Sequence, residues 1–197
     1  MPQTREHWRH RLPHWEVADR PHFVTIRCTG SLPSAARARI REIHASLRLF
    51  APASPQFATL QRQYFLTCEK YLDRGEGFAP FREAAACTVI LTHWRQLTTE
   101  SGWAVPHFAI MPNHVHFLLQ PNVPEPAPLR ATVREFKGRT ARQANQVLGR
   151  TGAFWQSDWF DRWVRDESEE TRIVDYIRQN PVKAGLARTW QEYPWVA

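Results

Sequence analysis

The chain has 197 residues, 43% hydrophobic and 23% charged, enough apolar material for one packed domain. No apolar run reaches the ~18 residues of a membrane-spanning helix, and the polar, aromatic start "MPQTREHWRHRLPHW" does not read as a secretory leader. Lys and Arg outnumber Asp and Glu by 26 to 19, a net +7 that favours a polyanionic partner without proving one.

In chain order, residues 21–28 ("PHFVTIRC") alternate and are β-branched, predicting a first strand. "GSLP" breaks it, and residues 34–50 carry helical periodicity with Ser34 as N-cap. After a turn-rich break at 51–56, residues 57–73 read as a second helix, ended by "RGEG". Residues 81–100 form a long helical candidate. Residues 103–110 are a strand in which Pro106 marks an edge or a bulge. Pro112 and Asn113 punctuate before a strand over 114–120 that pairs with its predecessor. A proline-rich connector (121–128) leads to a basic helix over 129–149, with Gly138 as a candidate break. Residues 160–166 alternate again as a strand. Residues 167–179 form a helix whose acidic first turn suits its dipole and which is expected to stop at Asn180-Pro181. An irregular aromatic tail follows.

This order predicts a ferredoxin-like α+β sandwich. Four strands make one antiparallel sheet, with one face on helices and the other free for a site. Three scattered cysteines, Cys28, Cys68 and Cys87, argue against a disulfide framework or a thiolate zinc site and suit a reducing cytoplasm.

The chemistry concentrates in "MPNHVHFLLQP", residues 111–121. Strand alternation puts His114, His116 and Leu118 on one face, and Val115, Phe117 and Leu119 on the other. Two imidazoles at i and i+2 can grip one metal ion; the ordinary alternative is two buried histidines satisfied by hydrogen bonds. In the last helix, Tyr176 and Asn180 fall at i and i+4 on one side. They read either as a nucleophile and an amide metal ligand, or as a core aromatic and a helix cap. The basic helix carries Arg130, Arg134, Lys137, Arg139 and Arg142 with Glu135 alone opposing. This is a solvated face or a phosphate-tracking one. Trp155, Trp159 and Trp163 follow, as core side chains or base-stacking platforms.

Together these segments resemble the REP-associated tyrosine transposases, bacterial members of the one-tyrosine HUH transposase superfamily (IS200-like). His114-Val115-His116 is similar to the family's HUH motif, and "VDYIRQNPVKAGL" (174–186) to its catalytic segment, with Tyr176 in the nucleophile position. "LGRTGAFWQSDWFDRWVRDESE", "RLPHWEVADRPHFVTIRCTGSLP" and the tail "EYPWVA" also resemble family stretches, while 51–80 matches loosely.

The resemblance implies one domain over 1–197. It comprises an N-terminal arm (1–20), a variable helical insertion (51–80) in the first crossover, an extra C-terminal catalytic helix and a tail (187–197). It also implies cleavage and rejoining of single-stranded DNA beside palindromic REP hairpins through a 5′-phosphotyrosine. A divalent metal, Mg²⁺ or Mn²⁺, would be held by His114, His116 and Asn180. Arg130, Arg134, Lys137, Arg139 and Arg142 are the candidate DNA contacts, and the connector and the "REHWRHRLPHW" arm could also reach nucleic acid. A monomer in the bacterial cytoplasm is expected, with a dimer as the alternative. The competing functions are a hairpin-binding protein without catalysis and a metal-dependent nuclease in which Tyr176 is only structural.

Overall fold

In the computed structural model, which describes residues 3–9, 12–51 and 54–197, strand alternation sorts the side chains onto two faces of one sheet. Four strands pair antiparallel in the order β4-β5-β3-β6: β3 is His22–Arg27, β4 Trp103–Met111, β5 His114–Pro121 and β6 Phe160–Trp163. The helices are α1 (Ser34–Leu47), α2 (Pro55–Leu72), α3 (Ala84–Ser101), α4 (Leu129–Val147) and α5 (Glu167–Lys183). The α+β sandwich expected from the element order is the fold observed, with α1, α2 and α3 all in the first crossover.

One sheet face buries Val24, Ile26, Ile110, Val115, Phe117 and Leu119 against α3 and α4, through Ile90, Trp94, Val133 and Phe136 among others. Each large apolar side chain fully withdrawn from water contributes ~1.5–3 kcal/mol, so this layer is the main core. The opposite face carries Phe23, Ala109, Met111 and Leu118 and packs on Ile177 of α5. That face also presents the two histidines of β5. Trp155 and Trp159 are buried among the side chains of the main core.

The helices α1 and α2 form a hairpin with its own small core, in which Ile40, Ile43 and Leu47 meet Phe57, Tyr64, Cys68 and Leu72. A second stripe of α2, Phe65 and Glu69 at i and i+4, turns toward the site face of the sheet. The Phe65 ring lies 5.9 Å from Phe23 and 5.7 Å from Tyr176. The insertion is therefore a cap over the site.

The structure departs from the sequence expectation in four places. The arm contains a two-stranded hairpin, β1 (Thr4–Arg9) with β2 (Pro13–Val17); residues 10 and 11 of the arm lie outside the described residues. Helix α4 is continuous through Gly138, whose missing side chain would meet nothing within 4 Å. Helix α5 continues through Pro181 to Lys183, because a proline in the last turn sacrifices one backbone hydrogen bond rather than a helix. The tail pairs with the free edge of β4: Ile110 N–H donates to Trp195 O (2.8 Å) and Ala197 N–H to Phe108 O (3.0 Å). That pairing covers an edge that would otherwise be open to other strands. Pro106 sits, as expected, in a register shift of this edge strand. All three cysteines are free and buried, and among the described residues no helix is long and apolar enough to cross a membrane.

Candidate active site

His114 and His116 sit side by side on the site face of β5, both fully buried. Their Nε2 atoms are 2.9 Å apart. The ring orientations follow from what each Nδ1 meets. Asn113 Nδ2 donates to Glu76 O (3.3 Å), which turns Asn113 Oδ1 toward His114 Nδ1 at 2.8 Å. An amide oxygen only accepts, so His114 carries its proton on Nδ1 and leaves Nε2 with a lone pair. Thr25 Oγ1 stands 2.8 Å from His116 Nδ1 and can fix that ring the same way. Burial, and then the neighbouring His116 ring, push the His114 imidazolium down to about 3, so this ring is neutral at physiological pH.

The third member of the cluster comes from α2. Glu69 Oε2 lies 3.3 Å from His116 Nε2, and one donor atom each from Glu69, His114 and His116 fall within 4.8 Å of one another. Burial alone would raise the Glu69 carboxyl, but His116, His114 and the Tyr176 hydroxyl more than offset it and hold it below its usual range. The same Oε2 accepts a short hydrogen bond from the Tyr176 hydroxyl. Tyr176 lies on α5, its ring centroid 5.4 Å from that of His116. Burial and the Glu69 charge raise its hydroxyl well above the ordinary phenol range. Asn180 is one turn on and buried; its amide favours the phenolate, yet neither side-chain atom has a hydrogen-bond partner of ordinary geometry. Lys183 closes the group from the exposed side, with Nζ 5.1 Å from the Tyr176 ring centroid.

This donor set fits a divalent cation. Two imidazole lone pairs converge with a carboxylate, and the buried Glu69 Oε1 and the Asn180 amide are unpartnered. Orphaned buried polar atoms are costly unless something satisfies them, and N₂O donor sets of this kind suit first-row divalent ions.

The structure thus gathers His114, His116, Tyr176 and Asn180 at one place. It adds Glu69, Thr25 and Asn113, which the sequence alone did not single out. Glu69 had only a weak signal: an acidic residue on the apolar side of a helix, between Cys68 and Leu72.

The five cations of α4 stand elsewhere, on the helix that covers the opposite sheet face. Arg130 pairs with Glu6 at 3.8 Å, and Arg139 with Glu100 and Glu135. Lys137 donates to Ser157 O at 2.8 Å and lies over the Trp159 ring, and burial lowers its ammonium to about 8. Arg134 and Arg142 are exposed and make no ion pair among the described residues.

A second buried histidine cluster lies at the base of the hairpin. His14, fully buried, contacts Asp161 through Nδ1 and Asp158 through Nε2, the latter at 3.0 Å. Burial alone would lower this imidazole, but the two carboxylates, Asp161 foremost, raise it to about 9. His14 is therefore a charged clamp between β2 and the β6 region.

A four-stranded antiparallel sheet that carries paired histidines under a helix-borne tyrosine defines an α+β protein with a candidate metal site, and sequence comparison narrows the class. Residues 83–180 match the family model described as "Transposase IS200 like", and over that span the chain belongs to the IS200-like transposase family. The matched span contains His114, His116, Tyr176 and Asn180, whereas Glu69 precedes it. The chain is 28% identical over 96 residues to a protein of Haemophilus influenzae named "Putative REP-associated tyrosine transposase". That alignment covers 44% of this chain and 53% of the relative, so the chain spans about half the length of that protein. A solved structure of a REP-associated tyrosine transposase bound to a REP hairpin superposes with a TM-score of 0.54 at 15% identity. It covers 97% of this chain and 81% of the other, a likeness of fold.

Proposed function

We propose that the protein is a metal-dependent tyrosine transposase that cleaves and rejoins single-stranded DNA beside a palindromic hairpin. The observation that carries this reading is that His114, His116 and Glu69 each bring a donor atom within 4.8 Å of the others while the Tyr176 hydroxyl donates to the same carboxylate.

His114 and His116, with oxygens of Glu69 and Asn180, would hold Mg²⁺ or Mn²⁺; two nitrogen donors favour Mn²⁺. Bound there, the ion would polarise the scissile phosphate and stabilise its developing charge. Tyr176 Oη attacks the phosphorus, forming the 5′-phosphotyrosine bond as the bond to the 3′ oxygen breaks. The leaving strand ends in a 3′-OH. Glu69, which already accepts the hydroxyl hydrogen bond, is placed to take the phenol proton. The covalent link conserves the bond energy, so a 3′-OH can reverse the step without ATP. Lys183 faces the exposed side of Tyr176 and can meet the phosphate oxygens. Exposed Arg134 and Arg142 of α4 would serve the hairpin duplex from the flank. Tyr176 reaches histidines of its own chain, which supports action as a monomer.

The test is incubation with end-labelled hairpin DNA bearing a single-stranded flank, plus Mn²⁺, followed by denaturing electrophoresis. A denaturation-resistant adduct that is absent in Tyr176→Phe is expected. Binding without cleavage would identify a hairpin-binding protein instead, and cleavage that survives Tyr176→Phe would identify a nuclease without a covalent step.

A further inference from the structure

A strand reaching Tyr176 must approach on the site face of the sheet, and α4 lies on the other. A cavity of about 570 Å³ on the site side runs between α1, α2 and the β3–β6 edge, with Glu69 and Thr25 in its wall. Its cationic lining comes from α1. Arg37, Arg41, His44 and Arg48 all line it, at i, i+4, i+7 and i+11, the spacing of one helix face. Arg27 joins them from the end of β3, directly across the ladder from His114 and so on the same face as the histidine pair. Among the described residues, Arg27, Arg37, Arg41 and Arg48 make no ion pair with an acidic side chain. The two carboxylates of the lining are engaged elsewhere: Glu69 with His116 and Tyr176, Asp158 with His14 and the Leu12 N–H.

We propose that this groove holds the single-stranded flank of the substrate by its phosphodiester backbone. Arg37, Arg41 and Arg48 track successive phosphates, and Arg27 receives the phosphate next to the histidine pair. The arginines are unpaired within the chain because their anions arrive with the substrate. Their forked guanidinium groups suit phosphate oxygens, and Phe65 and Phe160 in the same wall offer faces for bases to stack on. The groove lies between the α1–α2 hairpin and the β3–β6 edge, so its cationic wall from α1 precedes the family-matched residues while Phe160 falls within them. The inference rests on the function proposed above and names the path of its substrate.

Its test compares two labelled DNAs, the hairpin with its flank and the same hairpin blunt, by fluorescence anisotropy across a salt series. The triple neutralisation Arg37→Gln, Arg41→Gln, Arg48→Gln should weaken binding of the flanked hairpin at least tenfold and flatten its log–log salt slope by about 2. Binding of the blunt hairpin should stay within roughly twofold. A circular-dichroism melt checks that the variant is folded. In the wild-type protein, photo-crosslinkers in the flank should label α1 peptides. Unchanged affinity and slope, or crosslinks that avoid α1 and α2, would overturn the groove while adduct formation by the same protein left the proposed function standing. A wild-type protein that neither binds hairpin DNA nor forms an adduct would overturn both.

Discussion

His14 and His114 are both fully buried, yet their surroundings drive them to opposite charge states. His14 stands between two carboxylates and stays protonated up to about pH 9. His114 faces another imidazole, with one carboxylate beyond it, and stays neutral down to about pH 3. The ratio of carboxylates to imidazoles thus separates a structural ion cluster from a site with lone pairs to offer. Among the described residues only the second sets two imidazoles beside one carboxylate, and only the second has a tyrosine hydroxyl on the shared carboxylate.

The comparison breaks most severely if the wrong cluster is the structural one. Asp161→Ala removes the first anion of the His14 clamp and should destabilise the fold by about 3–5 kcal/mol, as loss of one partner of a buried pair does. Urea unfolding measures this, and Mn²⁺ affinity should not change in the folded fraction. The pH dependence follows with a defined sign. The folded His14 binds its proton more tightly than the unfolded chain does, so the clamp contributes fully below pH 6.5 and is lost as pH rises through about 9. That loss amounts to about 3 kcal/mol at most. Unfolding free energies across pH 6–10 should show this decline, and Asp161→Asn should reduce it.

Metal linkage is the corresponding signature of the other cluster. Mn²⁺ at 100 times its dissociation constant should stabilise the wild type by about 2.7 kcal/mol. His114→Ala should abolish that gain in a thermal melt and leave the pH 6–9 decline intact. A smaller effect sharpens the orientation argument. Asn113→Ala frees the Nδ1 side of His114 and should weaken Mn²⁺ affinity ~10–100-fold, the usual consequence of losing a partner that orients a ligand. Titration calorimetry would read it, and unchanged affinity would show that Asn113 does not set the tautomer.

The sequence revealed what local periodicity controls. Strand alternation placed His114 and His116 opposite the apolar Val115, Phe117 and Leu119, and helical spacing brought Asn180 beneath Tyr176. Glu69 was not legible, because its partner Tyr176 is 107 residues away and only the docking of α2 joins them. Charge pairing across the fold was equally hidden from the sequence. Helix α4 is the most obviously basic stretch, but folding pairs Arg130 and Arg139 with acids and packs Lys137 on Trp159. Arg37 and Arg41 of α1, interspersed with Ile40 and Ile43, make no ion pair among the described residues, whereas Arg39 on the outer side pairs with Glu42. The hairpin of β1 and β2 was hidden by its many charged residues and by Pro13, and becomes intelligible only through the His14 clamp that holds it down.

The central claim is that Tyr176 is the nucleophile of the paired-histidine site. Its most direct measurement is mass spectrometry of the protein digested after incubation with a flanked DNA hairpin and Mn²⁺. The account predicts a 5′-phosphonucleotide mass on the peptide containing Tyr176, lost in His116→Ala and in Tyr176→Phe. A cleaved DNA with no modified peptide, or a nucleotide carried by any other residue, would contradict it.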